Sequence, residues 1–195
     1  PKSSRRQRQM CIRDSFMSLG FISDIHLDSN SPKKTQMFFD FLDQAKNKYS
    51  KLFILGDLFE YWIGDDDQSQ DSLEVIRQLK KLSDSIEVFF IAGNRDFLIA
   101  KEFENKSGIK ILEDMYIFSS GNKNIMVSHG DSFCIDDKQY QSLKNEIRSS
   151  EWINDFLSKP LEERVQIANE MRAQSAEKSS NKPENIMDCL LYTSP

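Results

Sequence analysis

The sequence predicts an α/β fold, on three observations. Four short apolar runs each end in a turn led by glycine or an acid: "GFISD", "LFILGD", "VFFIAGN" and "IMVSHGD". Segments of helical periodicity lie between the earlier runs, and the four turns recur about 35 residues apart, the length of one βαβ unit. Short β-branched and aromatic runs closed by glycine read as buried strands. Helices alternating with such strands require crossover connections, hence a largely parallel sheet.

Taken in order, the first strand runs into Asp24 and His26. Because strand side chains alternate, these two are expected to point to the same side. "PKKTQMFFDFLDQAKNKY" then places Met37, Phe38, Phe41, Leu42 and Ala45 on one helical face. The second strand spans Leu52 to Leu55 and delivers Gly56 and Asp57. "DSLEVIRQLKKLSDS" is the next amphipathic helix, with Leu73, Val75, Ile76 and Leu79 inward. The third strand, Val88 to Ala92, delivers Gly93, Asn94, Arg95 and Asp96, and the fourth, Ile125 to Val127, delivers His129. The acids Asp65 to Asp67 are expected to cap the following helix or stay solvated, since adjacent residues converge poorly on one ion. From Lys138 to Ser175 the chain is helical, with Pro160 breaking or starting a helix.

Composition limits the chemistry. The chain has 195 residues, 38% of them hydrophobic, and a net charge of −5. Five basic residues crowd the first 15 positions, so the remainder is more acidic still. Such a body does not attract phosphates by its overall field, and nucleic acid is not the expected partner. A phosphorylated substrate would need bound cations to reverse the local sign. The cysteines, Cys11, Cys134 and Cys189, show no paired or zinc-type spacing, which fits a reducing compartment.

The candidate ligands are thus Asp24, His26, Asp57, Asn94 and His129, each at or just past the carboxyl end of its strand, where open α/β sheets collect ligands. Carboxylates, an amide carbonyl and imidazoles without a thiolate suit Mn²⁺, Fe²⁺ or catalytic Zn²⁺, as a pair. Asp57, with two oxygens, is the natural bridge between two cations.

This ordered set resembles the calcineurin-like metallophosphoesterases, whose pattern runs D-x-H, G-D, G-N-(H/D/R), H and G-H-x-H. "SDIHL", "LGDLFEYWIGDDD", "GNRDFL", "HGDSFC" and "MRAQS" with "IMD" are similar to the UDP-2,3-diacylglucosamine diphosphatase branch, which acts in lipid A biosynthesis. The resemblance covers roughly residues 19 to 188. It implies an α/β/β/α sandwich of two mixed sheets, with a metallophosphoesterase core over 19–137, a helical cap over 138–182 and a return to the core at 183–188. It implies two divalent cations, usually Mn²⁺, with Asp24 and His26 on one, Asn94 and His129 on the other, and Asp57 between. The catalytic group is then Asp57, Asn94, Arg95 and His129. The substrate contacts are Asn94, Arg95, Asp137, Tyr140, Arg172, Ser175, Ser179 and Lys182. The implied substrate is a lipid-linked UDP-sugar split at its pyrophosphate into UMP and 2,3-diacylglucosamine 1-phosphate. The implied location is cytoplasmic, resting on the cytoplasmic face of a Gram-negative inner membrane.

Arg95 bears on the reaction independently. A histidine at that place can protonate an alkoxide leaving group. Arginine stays charged and cannot. It can hold a phosphate by two parallel hydrogen bonds, and a phosphate leaving group, with its last pKa near ~6, departs unprotonated. Pyrophosphate cleavage is therefore favoured over monoester cleavage.

Residues 1–18 and 189–195 read as foreign flanks. With only two histidines, both already assigned, the chain reads as the first three-quarters of such an enzyme, lacking G-H-x-H. Weak metal affinity, little turnover and exposed apolar sheet faces are the corresponding expectations. The competing readings are a nucleotidase, nuclease or phosphatase on the same fold, and a non-catalytic scaffold.

Overall fold

The computed structural model describes residues 18–180, with side chains to 175. Lys182, the 183–188 segment and nearly all of both flanks lie outside the described residues, as does the Ser179 side chain.

Four parallel strands, β1 (Leu19–Ile22), β2 (Lys51–Ile54), β3 (Glu87–Ile91) and β4 (Lys110–Leu112), form one sheet in that order. The crossovers carry α1 (Pro32–Lys48), α2 (Gln70–Ser83) and α3 (Lys101–Ser107). A hairpin of β5 (Tyr116–Ser120) and β6 (Lys123–Val127) makes a second, antiparallel sheet. Strand alternation explains the layering. Leu52 and Ile54 on β2, and Val88 and Phe90 on β3, face the helices; Phe53, Phe89 and Ile91 face the hairpin with Val127. Both faces being covered, these strands are apolar at nearly every position. Phe53 is the pivot, stacked on Phe89 and on Phe118 with ring centroids 4.8 Å apart in each case. Each such buried side chain stabilises the fold by about 2 kcal/mol.

The predicted sandwich is present, but three expectations change. Within the described residues neither sheet is mixed: the first is wholly parallel and the second wholly antiparallel. The run ending at His129 belongs to the second sheet, so that donor arrives from across the sandwich rather than from a parallel neighbour. On α1, Phe38, Leu42 and Ala45 are buried, whereas Met37 is 63% exposed. It sits one position, hence about 100°, off the inward stripe. Phe21, Ile117 and Met126 are also exposed, the last two paired on the outer side of the hairpin.

Three further helices follow: α4 (Lys138–Ile147), α5 (Ser150–Ser158) and α6 (Leu161–Ser180). Asp137 and Ser149 cap the first two by accepting from Tyr140 N (3.0 Å) and Trp152 N (3.2 Å). Pro160 sits immediately before α6, where its missing N–H costs nothing. No described helix is long and apolar enough to cross a membrane.

Candidate metal centre

The carboxyl ends of β1, β2 and β3 come together, and their loops extend the parallel ladder. Asp24 N donates to Gly56 O (3.1 Å), His26 N to Asp57 O (2.9 Å) and Leu27 N to Leu58 O (2.8 Å). Asp24, His26 and Asp57 all lie on left-handed backbone, with φ of 55°, 51° and 53°. For residues with a Cβ this costs on the order of 1–2 kcal/mol each and persists only where the surroundings enforce it. β1 ends at Ile22, so strand alternation is not what pairs Asp24 with His26; the strained loop does it. Ligand atoms of Asp24, His26 and Asp57 lie within 4.8 Å of one another.

Asp57 occupies the middle. Its side chain is 4% exposed, with Oδ2 3.8 Å from His26 Nε2 and Oδ1 3.8 Å from His129 Nε2. One carboxylate therefore presents a different oxygen to each histidine. His129 Nδ1 stands 2.8 Å from Leu55 O. A carbonyl only accepts, so Nδ1 carries a proton, and Nε2 is the nitrogen turned toward Asp57 that could offer a lone pair to a cation. Asn94 lies half-buried in the β3 loop, between two anchored neighbours. Gly93 N donates to Asp96 Oδ1 (2.8 Å), and Arg95 N to Asp57 Oδ1 (3.0 Å).

Two glycines make this approach possible. A Cβ on Gly93 would stand 2.1 Å from Asp57 Oδ1, and one on Gly56 (φ +88°) 2.6 Å from His129 Nδ1. No side chain fits at either place.

The sequence reading missed the side chains that hold the donors. Asp96 is fully buried and accepts from Gly93 N (2.8 Å), Leu58 N (2.7 Å), Asp57 N (3.3 Å) and Phe59 N (3.5 Å). It therefore locks the β2 and β3 loops together. Burial pushes its carboxyl up to about 6, with the Asp57 charge adding to the shift and the Gly93 N–H opposing it. Asp114 does the same for His129, accepting from Ser128 Oγ (2.6 Å), Ser132 Oγ (2.7 Å) and His129 N (3.3 Å). Burial would raise the Asp114 carboxyl, but hydrogen bonds from Ser128, Ser132 and the backbone N–H groups of Met115 and His129 together outweigh it and hold it low. The "D" of "GNRD" and the acid before β5 were the available signals. Their partners lie too far along the chain for spacing to reveal them.

The proposed substrate residues beyond Asn94 are placed differently from one another. Arg95 and Arg172 both reach Glu60 Oε1, at 3.6 Å and 2.9 Å, so they share one edge of the centre. Tyr140 Oη donates to Asp131 Oδ2 at 2.7 Å, and burial, reinforced by this contact, pushes the phenol well above its usual range. Asp137 is a helix cap, and Ser175 is exposed on α6. Ser179 and Lys182 are not described.

Of the acids of "WIGDDD", only Asp67 serves the following helix as expected; Asp65 and Asp66 make long-range contacts instead. Asp65 accepts from Trp62 Nε1 (3.0 Å) and from Phe103 N (2.8 Å) at the start of α3. Asp67 accepts from Ser69 N and Ser72 Oγ at the start of α2 (2.9 and 2.7 Å). Asp66 pairs with Arg164 of α6, whose buried guanidinium also donates to Ile63 O (2.7 Å).

Comparison with known proteins agrees with this geometry. A family model described as calcineurin-like phosphoesterase matches residues 17–190. UDP-2,3-diacylglucosamine hydrolase of Haemophilus influenzae is 40% identical over 170 residues, covering 86% of this chain and 71% of that protein. The proteins of the same name from Chromobacterium violaceum and Chromohalobacter salexigens are 40% and 36% identical. They align over 82% and 88% of this chain, and over 67% and 70% of their own lengths. An Asp57 set between two histidines at adjoining strand ends, in a chain so matched, places this protein in the calcineurin-like phosphoesterase family.

Proposed function

We propose that the chain hydrolyses the pyrophosphate bond of UDP-2,3-diacylglucosamine, giving UMP and 2,3-diacylglucosamine 1-phosphate, with two divalent cations, foremost Mn²⁺. The observation that carries the reading is Asp57, buried, with one oxygen toward each histidine and Arg95 beside it. The donor set is hard oxygen plus neutral imidazole, and it fits Mn²⁺ better than a thiophilic ion. Asp24 and His26 would hold one cation, Asn94 and His129 the other, and Asp57 both. Bound there, the pair would neutralise phosphoryl charge and lower the pKa of water for in-line attack.

The remaining work belongs to the chain's own side chains. Asp96 and Asp114 keep the donors in register, so little reorganisation is needed when the anionic substrate arrives. Arg95 and Arg172 stand within reach of one carboxylate and offer two guanidinium groups to a diphosphate. Neither can donate a proton in the reaction, which suits a phosphate leaving group. The α4–α6 layer exposes Leu143, Leu157 and Leu161, and Ile135 precedes it. These side chains support contact with acyl chains and with the membrane that carries them.

The test is single-turnover assay with Mn²⁺ and protein in excess, comparing UDP-2,3-diacylglucosamine with a phosphomonoester and a short oligonucleotide. UMP release from the lipid substrate, abolished by chelator, is the expected result. Faster consumption of the monoester or oligonucleotide would overturn the substrate assignment.

A further inference from the structure

Glu60 has no role in the chemistry above, yet three of its groups meet there. The residue follows the β2 donor loop, and its backbone N–H donates to Leu27 O at 2.9 Å, which fixes it against the β1 loop. Its side chain is 18% exposed. Oε2 lies 3.4 Å from His26 Nδ1, while Oε1 takes Arg172 Nε at 2.9 Å and Arg95 Nη1 at 3.6 Å. His26 Nδ1 is buried from solvent and is the one such side-chain atom, among the described residues, with no hydrogen bond. Glu60 is the carboxylate nearest at hand to complete it. The opposite nitrogen, Nε2, faces Asp57.

We infer that Glu60 is a positioning residue: with one oxygen it orients His26 for a cation, and with the other it sets the guanidinium groups of Arg95 and Arg172 for an anionic substrate. The inference rests on the reading of His26 as a metal ligand. Its physics is general. A carboxylate on the far nitrogen of an imidazole fixes the tautomer and raises the basicity of the ligating nitrogen, and losing such a partner costs roughly 10- to 100-fold in metal affinity. A short shift of Oε2 toward Nδ1 completes the bond. The same carboxylate also links α6, which carries Arg172, to the β1 loop, so the placement of that helix and of the ligand are set together.

Two measurements test this on the whole chain, with Mn²⁺ as the only ligand. The first is Mn²⁺ titration followed by electron paramagnetic resonance, for the parent and for Glu60→Gln. The expected result is a loss of about 10-fold or more in affinity with an unchanged melting temperature in chelator. Parent binding with Glu60→Gln within twofold of it would overturn the inference and leave the metal centre standing. No Mn²⁺ binding by the parent would sink the metal reading and the inference with it. The second needs no variant: ¹⁵N spectra of the two histidine rings above pH 8 without metal. Protonation of His26 at Nδ1 is expected, whereas an Nε2–H tautomer would overturn the inference whatever the titration shows.

Discussion

The donor loops and the α4–α6 layer are built by opposite means. The loops at the ends of β1, β2 and β3 are held mainly through backbone: ladder bonds between loops, buried Asp96 collecting N–H groups, and glycines where no Cβ fits. The helices that follow bury little. No side chain of α4 is buried, and α5 buries Phe156 alone. They are moored by side chains at a few places: Arg164 on Asp66 and Ile63 O, Arg148 on Gly93 O at 2.8 Å, Lys144 and Tyr140 on Asp131, and Trp152 against Phe97. Backbone-held rigidity at the donor loops, against a layer moored by a handful of side-chain contacts, is the difference to be tested.

Gly93→Ala should have the largest effect. Its Cβ would intrude on Asp57 Oδ1, and unfolding by urea in chelator should show a loss of about 3 kcal/mol, the upper end for overpacking. Asp96→Asn comes next. The amide turns one acceptor into a donor facing buried N–H groups, and a loss of about 2 kcal/mol is expected by the same measurement. A loss below 0.5 kcal/mol in either would mean the loops are less constrained than their geometry implies.

Arg164→Met should cost less globally and act elsewhere. About 1–2 kcal/mol is expected, read as faster amide exchange in α5 and α6 with β1–β3 unchanged. Uniform acceleration across both regions would erase the contrast between them. Acid should loosen the same tether more gently. The Arg164 hydrogen bonds outweigh burial and hold the Asp66 carboxyl below its ordinary 3.8, so this contribution is complete above that pH. It is lost as pH falls through the lowered value, and the exposure of Asp66 keeps it small. In Arg164→Met this part of the acid sensitivity of α6 should vanish.

What could be read from the sequence follows the same division. The β2 and β3 runs, their glycines and the acids after them are local patterns, and spacing alone set them side by side. β4 has three residues, too few to show a period, and β6 pairs antiparallel because a hairpin, not a crossover, precedes it. Asp24 and His26 meet through left-handed loop backbone that no alternation rule anticipates. The contacts of Asp96, Asp114, Glu60 and Arg164 were not legible because most of their partners are distant in the chain, as with Arg164 and Ile63, 101 residues apart. Single charged residues carry no periodicity to betray such contacts.

The central claim is that the ends of β1, β2 and β6 set Asp24, His26 and His129 around the Asp57 carboxylate, beside the β3 loop that carries Asn94, in an arrangement suited to two cations. The direct measurement is anomalous diffraction from crystals of this chain grown with Mn²⁺. Two peaks roughly 3.5–4 Å apart, one on each side of Asp57, are predicted. A lone peak away from Asp57, or none within reach of His26 and His129, would contradict the account.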